Sequence, residues 1–104
     1  MRKSKINISG FKIGTAENRD GLTGVTVILA PDGGATAGVD VRGCAPGTRE
    51  TDLLDPRKTV QKIHAVVLSG GSAFGLEAAS GCVKYLAEQG VGFPIGNVCV
   101  PIVC

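Results

Sequence analysis

The chain has no tryptophan, one tyrosine, one methionine and one histidine in 104 residues, and aromatics make up 4% of it. Without aromatics interleaved among basic residues there is no stacking platform, so a nucleic-acid partner is not expected. Arg2, Lys3 and Lys5 form the one dense basic cluster, and such a short run reads as a solvated tail. No stretch approaches the roughly 18 apolar residues that span a bilayer. The opening Met-Arg-Lys-Ser-Lys leads into alternating residues and not into an apolar signal core. Membrane insertion and Sec-type export are therefore not expected, and a cytoplasmic location is. Cys44, Cys82, Cys99 and Cys104 contain no C-x-x-C pair, and His64 lies near none of them. Metal sites want paired ligands at short spacing, so no metal is expected and the cysteines read as buried free thiols.

Charge is scarce as well. Charged residues amount to 19%, with a net charge of +2, against roughly 25% in typical soluble domains. Apolar residues reach 43%, and the length suits one domain. A chain short of charge and aromatics must cover apolar surface against more chain or against another subunit.

Residues 6–16 alternate as a strand interrupted at Gly10, and 17–24 form a turn-rich connection with an Asp20-Gly21 hairpin signal. Residues 25–30, VTVILA, read as a covered strand ended by Pro31-Asp32-Gly33-Gly34. Residues 35–42 alternate again, with Val39 and Val41 opposite Asp40 and Arg42, which predicts the third strand of an antiparallel sheet. A polar excursion covers 43–58, and 59–63 reads as a short helix. Arg42, Arg49, Glu50 and Asp52 line this loop and suggest a salt-linked loop or a subunit contact.

The clearest unit is a strand at 64–69, a turn at Gly70-Gly71 and a helix from Ser72 to Gln89. Leu76, Ala79, Cys82, Val83 and Leu86 share one face, while Glu77, Lys84 and Glu88 share the other, with Lys84 and Glu88 spaced as an ion pair. Ser72 suits the N-cap and Gly90 the C-terminal stop. Gly75 and Gly81 weaken the helix, which suggests close approach of another backbone. Residues 97–104, NVCVPIVC, read as an apolar strand whose ladder groups have no evident partner.

The glycine turn at 70–75 invites three chemical readings. A P-loop would need Lys and Ser or Thr where Leu76 and Glu77 stand. A nucleophile elbow would need glycine at Phe74, and His64 precedes Ser72, the wrong order for that fold. An oxyanion or carboxylate site, built from backbone N–H groups at the helix start, fits without side-chain chemistry. Two glycines that merely permit a tight strand–helix turn fit equally well, so both readings stay open. His64, at the head of an apolar strand, reads as a satisfied structural histidine.

Four stretches together carry a resemblance: GVTVILAPDGG, AGVDVRG-x-APGTRETDLLDP, IHAVVLSGGSAFGLEAA and V-x-VPIV. In this order they resemble the amino-terminal part of the L-aminopeptidase/D-esterase family, the DmpA-like and β-peptidyl aminopeptidases. The resemblance implies an α/β (α+β type) chain within a four-layer αββα sandwich like that of ornithine acetyltransferase. It also implies a precursor that cuts itself, freeing a Ser or Thr whose own amino group serves as base. Substrates would be small peptides, amides or esters with a free amino terminus; no metal or cofactor is needed, and homo-oligomers are expected. Residues 1–104 would then be a single incomplete domain without the catalytic nucleophile, with the remainder of the hydrolase chain as a partner. Gly70, Gly71 and Ser72, with Phe74 behind them, would bind substrate. Cys44 departs from the pattern, standing where relatives have a second glycine after Arg42-Gly43. Two other readings remain: an anion- or nucleotide-binding module using the Gly70-Gly71 turn, and a non-catalytic assembly subunit.

Overall fold

Alternating residues build the first hairpin of the computed structural model, which describes residues 7–104. Strand β1 (Lys12–Asn18) pairs antiparallel with β2 (Thr23–Leu29), from Lys12 opposite Leu29 to Asn18 opposite Thr23. The expected break at Gly10 is instead a turn before the strand, with Gly10 at φ 82°; residue 6 lies outside the described residues. The connection expected over 17–24 contracts to Arg19–Leu22, because the Asn18 side-chain oxygen accepts the Gly21 N–H at 2.9 Å and closes the turn locally.

The third strand is not 35–42. It is β3 (Ala65–Ser69), antiparallel to β2 with Val27 opposite Val67 and Leu29 opposite Ala65. Residues 35–42 contribute one bridge, Ala35 to Ile63, and leave Val39 and Val41 nearly half exposed. The free edge of β2 takes a single partner, and A-V-V-L-S is apolar on both faces where 35–42 is half polar. The Pro31–Gly34 turn, with the Gly34 N–H donating to the Pro31 carbonyl at 2.9 Å, sends the chain towards Ile63. Residues 59–62 are a bend and irregular chain leading into that bridge, so the short helix expected there does not form.

After the glycine turn the chain makes a 3-10 segment, Ser72–Glu77, before α1 (Ala78–Glu88). At its end Gly90, at φ 70°, donates to the Ala87 carbonyl and Val91 donates to Leu86, each at 3.0 Å. This double bond is the αL closure expected of a C-terminal glycine. Lys84 and Glu88 form no ion pair; the three described pairs are Arg19–Glu17, Arg42–Asp40 and Arg57–Asp55. Next come β4 (Phe93–Ile95) and β5 (Val98–Val100), a hairpin turned at Gly96, where a single strand was expected. Pro101 has no N–H to continue that ladder, and residues 101–104 leave it to run parallel to β3. The Cys104 N–H donates to Ala65 at 3.1 Å and the Val67 N–H to Cys104 at 2.7 Å, so these ladder groups do find a partner.

The result is a small mixed sheet with one helix on it, an α/β arrangement. Ala79, Cys82 and Leu86 of α1 meet Ala65 and Val103, ringed by Val27, Leu29, Val67, Val83 and Val91. The helix covers one face of the sheet. On the other, Ile13, Ile28 and Val66 form a cross-strand apolar row, with Leu68 60% exposed beside it.

His64 is 6% exposed, and its Nδ1 accepts the Ile102 N–H at 3.1 Å. It is the satisfied structural histidine its position suggested. Burial lowers its pKa from 6.5, and a proton on Nδ1 would turn the acceptor into a donor facing a donor. The unfolded chain therefore takes the proton more readily than the folded one. His64's contribution to stability is complete above its ordinary pKa and declines as pH falls from there towards the depressed folded value. The urea midpoint should drop as pH is lowered below about 6.5, and His64→Asn should flatten that part of the slope. An unchanged slope in the variant would show that His64 is not responsible.

Candidate active site

The candidate site is the strand–turn–helix junction at the end of β3. Gly70 donates its N–H to the Gly24 carbonyl at 2.9 Å, holding the turn on β2. Gly71 then takes φ 91° and Ser72 φ 58°, two consecutive left-handed residues of which only the first is a glycine. The Ser69 hydroxyl donates to the Gly70 carbonyl at 3.0 Å. A Cβ on Gly75 would fall on that same carbonyl oxygen, far inside van der Waals contact. The close backbone approach expected at the helix glycines is real at Gly75 and comes from the turn itself. At Gly81 there is open space.

Ser72 does not cap the helix. The N-cap position falls on Gly71, no side chain bonds the first turn, and a serine at φ 58° is not in the extended conformation a capping side chain needs. The left-handed pair overwinds the start of the helix into a 3-10 turn, and the α-helix begins only at Ala78.

Two clefts flank this turn. One, of about 440 Å³, is lined by Thr23, Gly24, Ser69, Gly70, Gly71 and Phe74 among others, with Glu17 as its only charged residue among those described. The other, of about 500 Å³, is lined by Thr48, Arg49, Ala73, Phe74, Leu76 and Glu77. Phe74, 91% exposed, is the wall common to both. The structure thus brings Gly70, Gly71 and Phe74 together around the first cleft, while Ser72 sits exposed at the turn and is not part of its lining. Along the sheet from the first cleft, an apolar trough of about 390 Å³ runs over Val25, Val27, Leu29, Ala78, Cys82 and Tyr85.

Thr23, on β2, adds a residue that no sequence motif points to. Its hydroxyl is the one buried side-chain polar atom without a hydrogen-bond partner among the described residues. It lies 2.5 Å from where a Cβ on Gly70 would stand, so glycine at 70 is what admits it. Nothing local marks Thr23, since its meeting with Gly70 is created by the β2–β3 register. The polar loop was expected to be salt-linked. Arg42 does pair with Asp40, but Arg49 reaches Ser80 of α1, with Nη1 donating to the hydroxyl at 2.7 Å. Arg57 holds the Asp55 carboxyl down at about 2 through its guanidinium and backbone N–H, fixing the far end of the loop.

No nucleophile–base pair occurs among the described residues. The Ser69 hydroxyl donates to a backbone carbonyl, and the His64 ring packs towards Gly34 with Nδ1 occupied. Burial pushes the Cys82 thiol up, and burial with the nearby Glu50 charge does the same for Cys104, the reverse of what a reactive thiolate requires. Cys44 is exposed and Cys99 half-buried, so the expectation of buried thiols holds for Cys82 alone. No group of three potential metal ligands gathers among the described residues, and no described helix is long and apolar enough to cross a membrane.

An α/β scaffold with a glycine strand–helix turn opening on a largely apolar cleft is the frame of many hydrolases. The chain belongs to peptidase family S58, whose model matches residues 5–104. It is 54% identical over 80 residues to an uncharacterized aminopeptidase of Mycobacterium tuberculosis, covering 77% of this chain and 23% of that protein. An uncharacterized aminopeptidase of Mycobacterium leprae is 46% identical over 105 residues, covering 93% of this chain and 29% of its own length. A 6-aminohexanoate-oligomer endohydrolase of Kocuria sp. is 36% identical over 85 residues, covering 82% and 21% respectively. The chain thus spans about a quarter of the length of these relatives.

Proposed function

We propose that these residues form the amino-terminal portion of a self-processing, serine-type aminopeptidase or amidase-esterase, supplying sheet, helix and one wall of the substrate cleft. In this reading the attacking hydroxyl and its base lie outside the 104 residues. The observation that carries it is the union of a family S58 sequence with a cleft that has no nucleophile–base pair of its own. Gly70, Gly71 and Phe74 border the bound amide or ester, the glycines letting it approach the backbone, with Ser72 at the rim. Substrates carry a free amino terminus. The uncovered row of Ile13, Ile28 and Val66, with Leu68, is where the second sheet of a four-layer αββα sandwich would pack. Assembly into homo-oligomers would bury further surface.

The 104-residue chain alone should release no chromophore from an amino-acid p-nitroanilide. Turnover that disappears in Ser72→Ala would overturn the assignment. An anion- or nucleotide-binding module has the lining against it, because Glu17 lines the Gly70-Gly71 cleft and no cation among the described residues does. Calorimetry with phosphate and with ATP separates the two, since appreciable binding to the turn favours the module.

A further inference from the structure

Four arginines lie among the described residues, and three of them pair with a carboxylate two positions away. Arg49 does not, although Glu50 adjoins it and Asp52 lies close in sequence. Its Nη1 is spent on the neutral Ser80 hydroxyl, and among the described residues no acceptor meets the rest of the guanidinium. The side chain is half-buried, so it has lost part of its hydration without gaining a counter-charge. Glu50, at φ 59°, is held in the left-handed region, so the loop carries Arg49 to α1 at the expense of backbone strain.

Arg49 lines the 500 Å³ cleft, which shares Phe74 as a wall with the Gly70-Gly71 cleft. We infer that Arg49 is a substrate-binding residue that receives a carboxylate of the ligand, in a subsite separated from the Gly70-Gly71 cleft by Phe74. The inference rests on the proposed function for the neighbouring cleft and adds to it a substrate class: amides or peptides that also carry a free carboxylate. A guanidinium fork, pre-set by Ser80, offers its remaining N–H donors to two carboxylate oxygens. The Glu77 carboxylate lines the same cleft and opposes a second negative charge, which favours monocarboxylates over phosphates or diacids.

The test compares alanyl-alanine, with its free amino terminus and free carboxylate, and alanyl-alaninamide, titrated into the chain by calorimetry and by amide chemical shifts. The acid should bind at least tenfold more tightly than its amide, with shifts at Arg49 and Ser80. Arg49→Gln should erase the difference, Arg49→Lys should keep part of it because charge remains without the fork, and Ser80→Ala should weaken acid binding alone. Equal binding of the two probes, binding of neither, or an undiminished preference in a folded Arg49→Gln chain would overturn the inference. Shifts at Gly70 and Gly71 with the amide report on the neighbouring cleft separately. If they occur without any acid preference, the cleft reading stands and the Arg49 subsite falls; an Arg49-dependent preference without them does the reverse.

Discussion

A methyl group added at Gly75 is expected to cost the fold about 3 kcal/mol, while the same methyl at Gly81 should stabilise it by roughly 0.5–1 kcal/mol. Both glycines lie in the stretch that periodicity assigns to one helix, and by helix propensity alone both substitutions should help. The structure separates them. A Cβ at Gly75 would overlap the Gly70 carbonyl oxygen and press on the Ser69 hydroxyl at 2.9 Å, neither of which can retreat without unwinding the turn. At Gly81 a Cβ meets nothing within 4 Å, and the residue is helical and exposed, so the gain is the ordinary one from restricting the unfolded chain. Urea unfolding of the two variants beside the parent measures this directly. Midpoints that move in the same direction would show that the strand–turn–helix junction is not built as described. Gly75→Ala should also abolish ligand-induced shifts at Gly70 and Gly71, because it distorts the cleft wall as well as the fold.

Leu86→Ala should be the most damaging truncation in the core, at roughly 2–5 kcal/mol. Leu86 is 4% exposed and sits with Ala65, Ala79, Cys82 and Val103 where α1 presses on β3 and the 101–104 segment. The buried residues of that cluster are small, so they offer little to fill the cavity. At roughly 4–8 °C per kcal/mol for a chain of this size, this loss should lower the melting temperature by on the order of 10–40 °C. Tyr85→Ala next door is the control. Tyr85 is 52% exposed over the apolar trough, and its loss should cost no more than about 1 kcal/mol. Similar costs for the two would mean that the helix packs with a different face.

The helix face was legible in the sequence because it depends on a local period. Ala79, Cys82 and Leu86 are the buried residues of α1, as the stripe required. The β1–β2 hairpin was legible for the same reason, with alternation on both sides of Asp20-Gly21. So was the order of strand, glycine turn and helix at 64–89, and so were the family motifs, which are contiguous strings. The start of that helix was not legible in this way. A serine before an apolar stripe fits the capping pattern, yet the turn needs Ser72 itself at φ 58° so that Gly75 can seat against the Gly70 carbonyl.

Which segments pair was not a local matter. Residues 35–42 carry as good an alternation as β1, but a strand is fixed by its partner, and the edge of β2 went to Ala65–Ser69. The same holds for the end of the chain, where Pro101 divides an apolar run into a hairpin strand and a segment laid along β3. The candidate site follows this pattern. Its glycines were visible in the sequence, while the buried Thr23 hydroxyl and the Arg49–Ser80 contact exist only because distant residues meet. Sequence alone determined the periodic faces, the turn chemistry and the family, since each is written in neighbouring residues. Tertiary structure decided strand pairing, the left-handed turn and the lining of the clefts, since those depend on competition between segments far apart in the chain for the same edge and the same core.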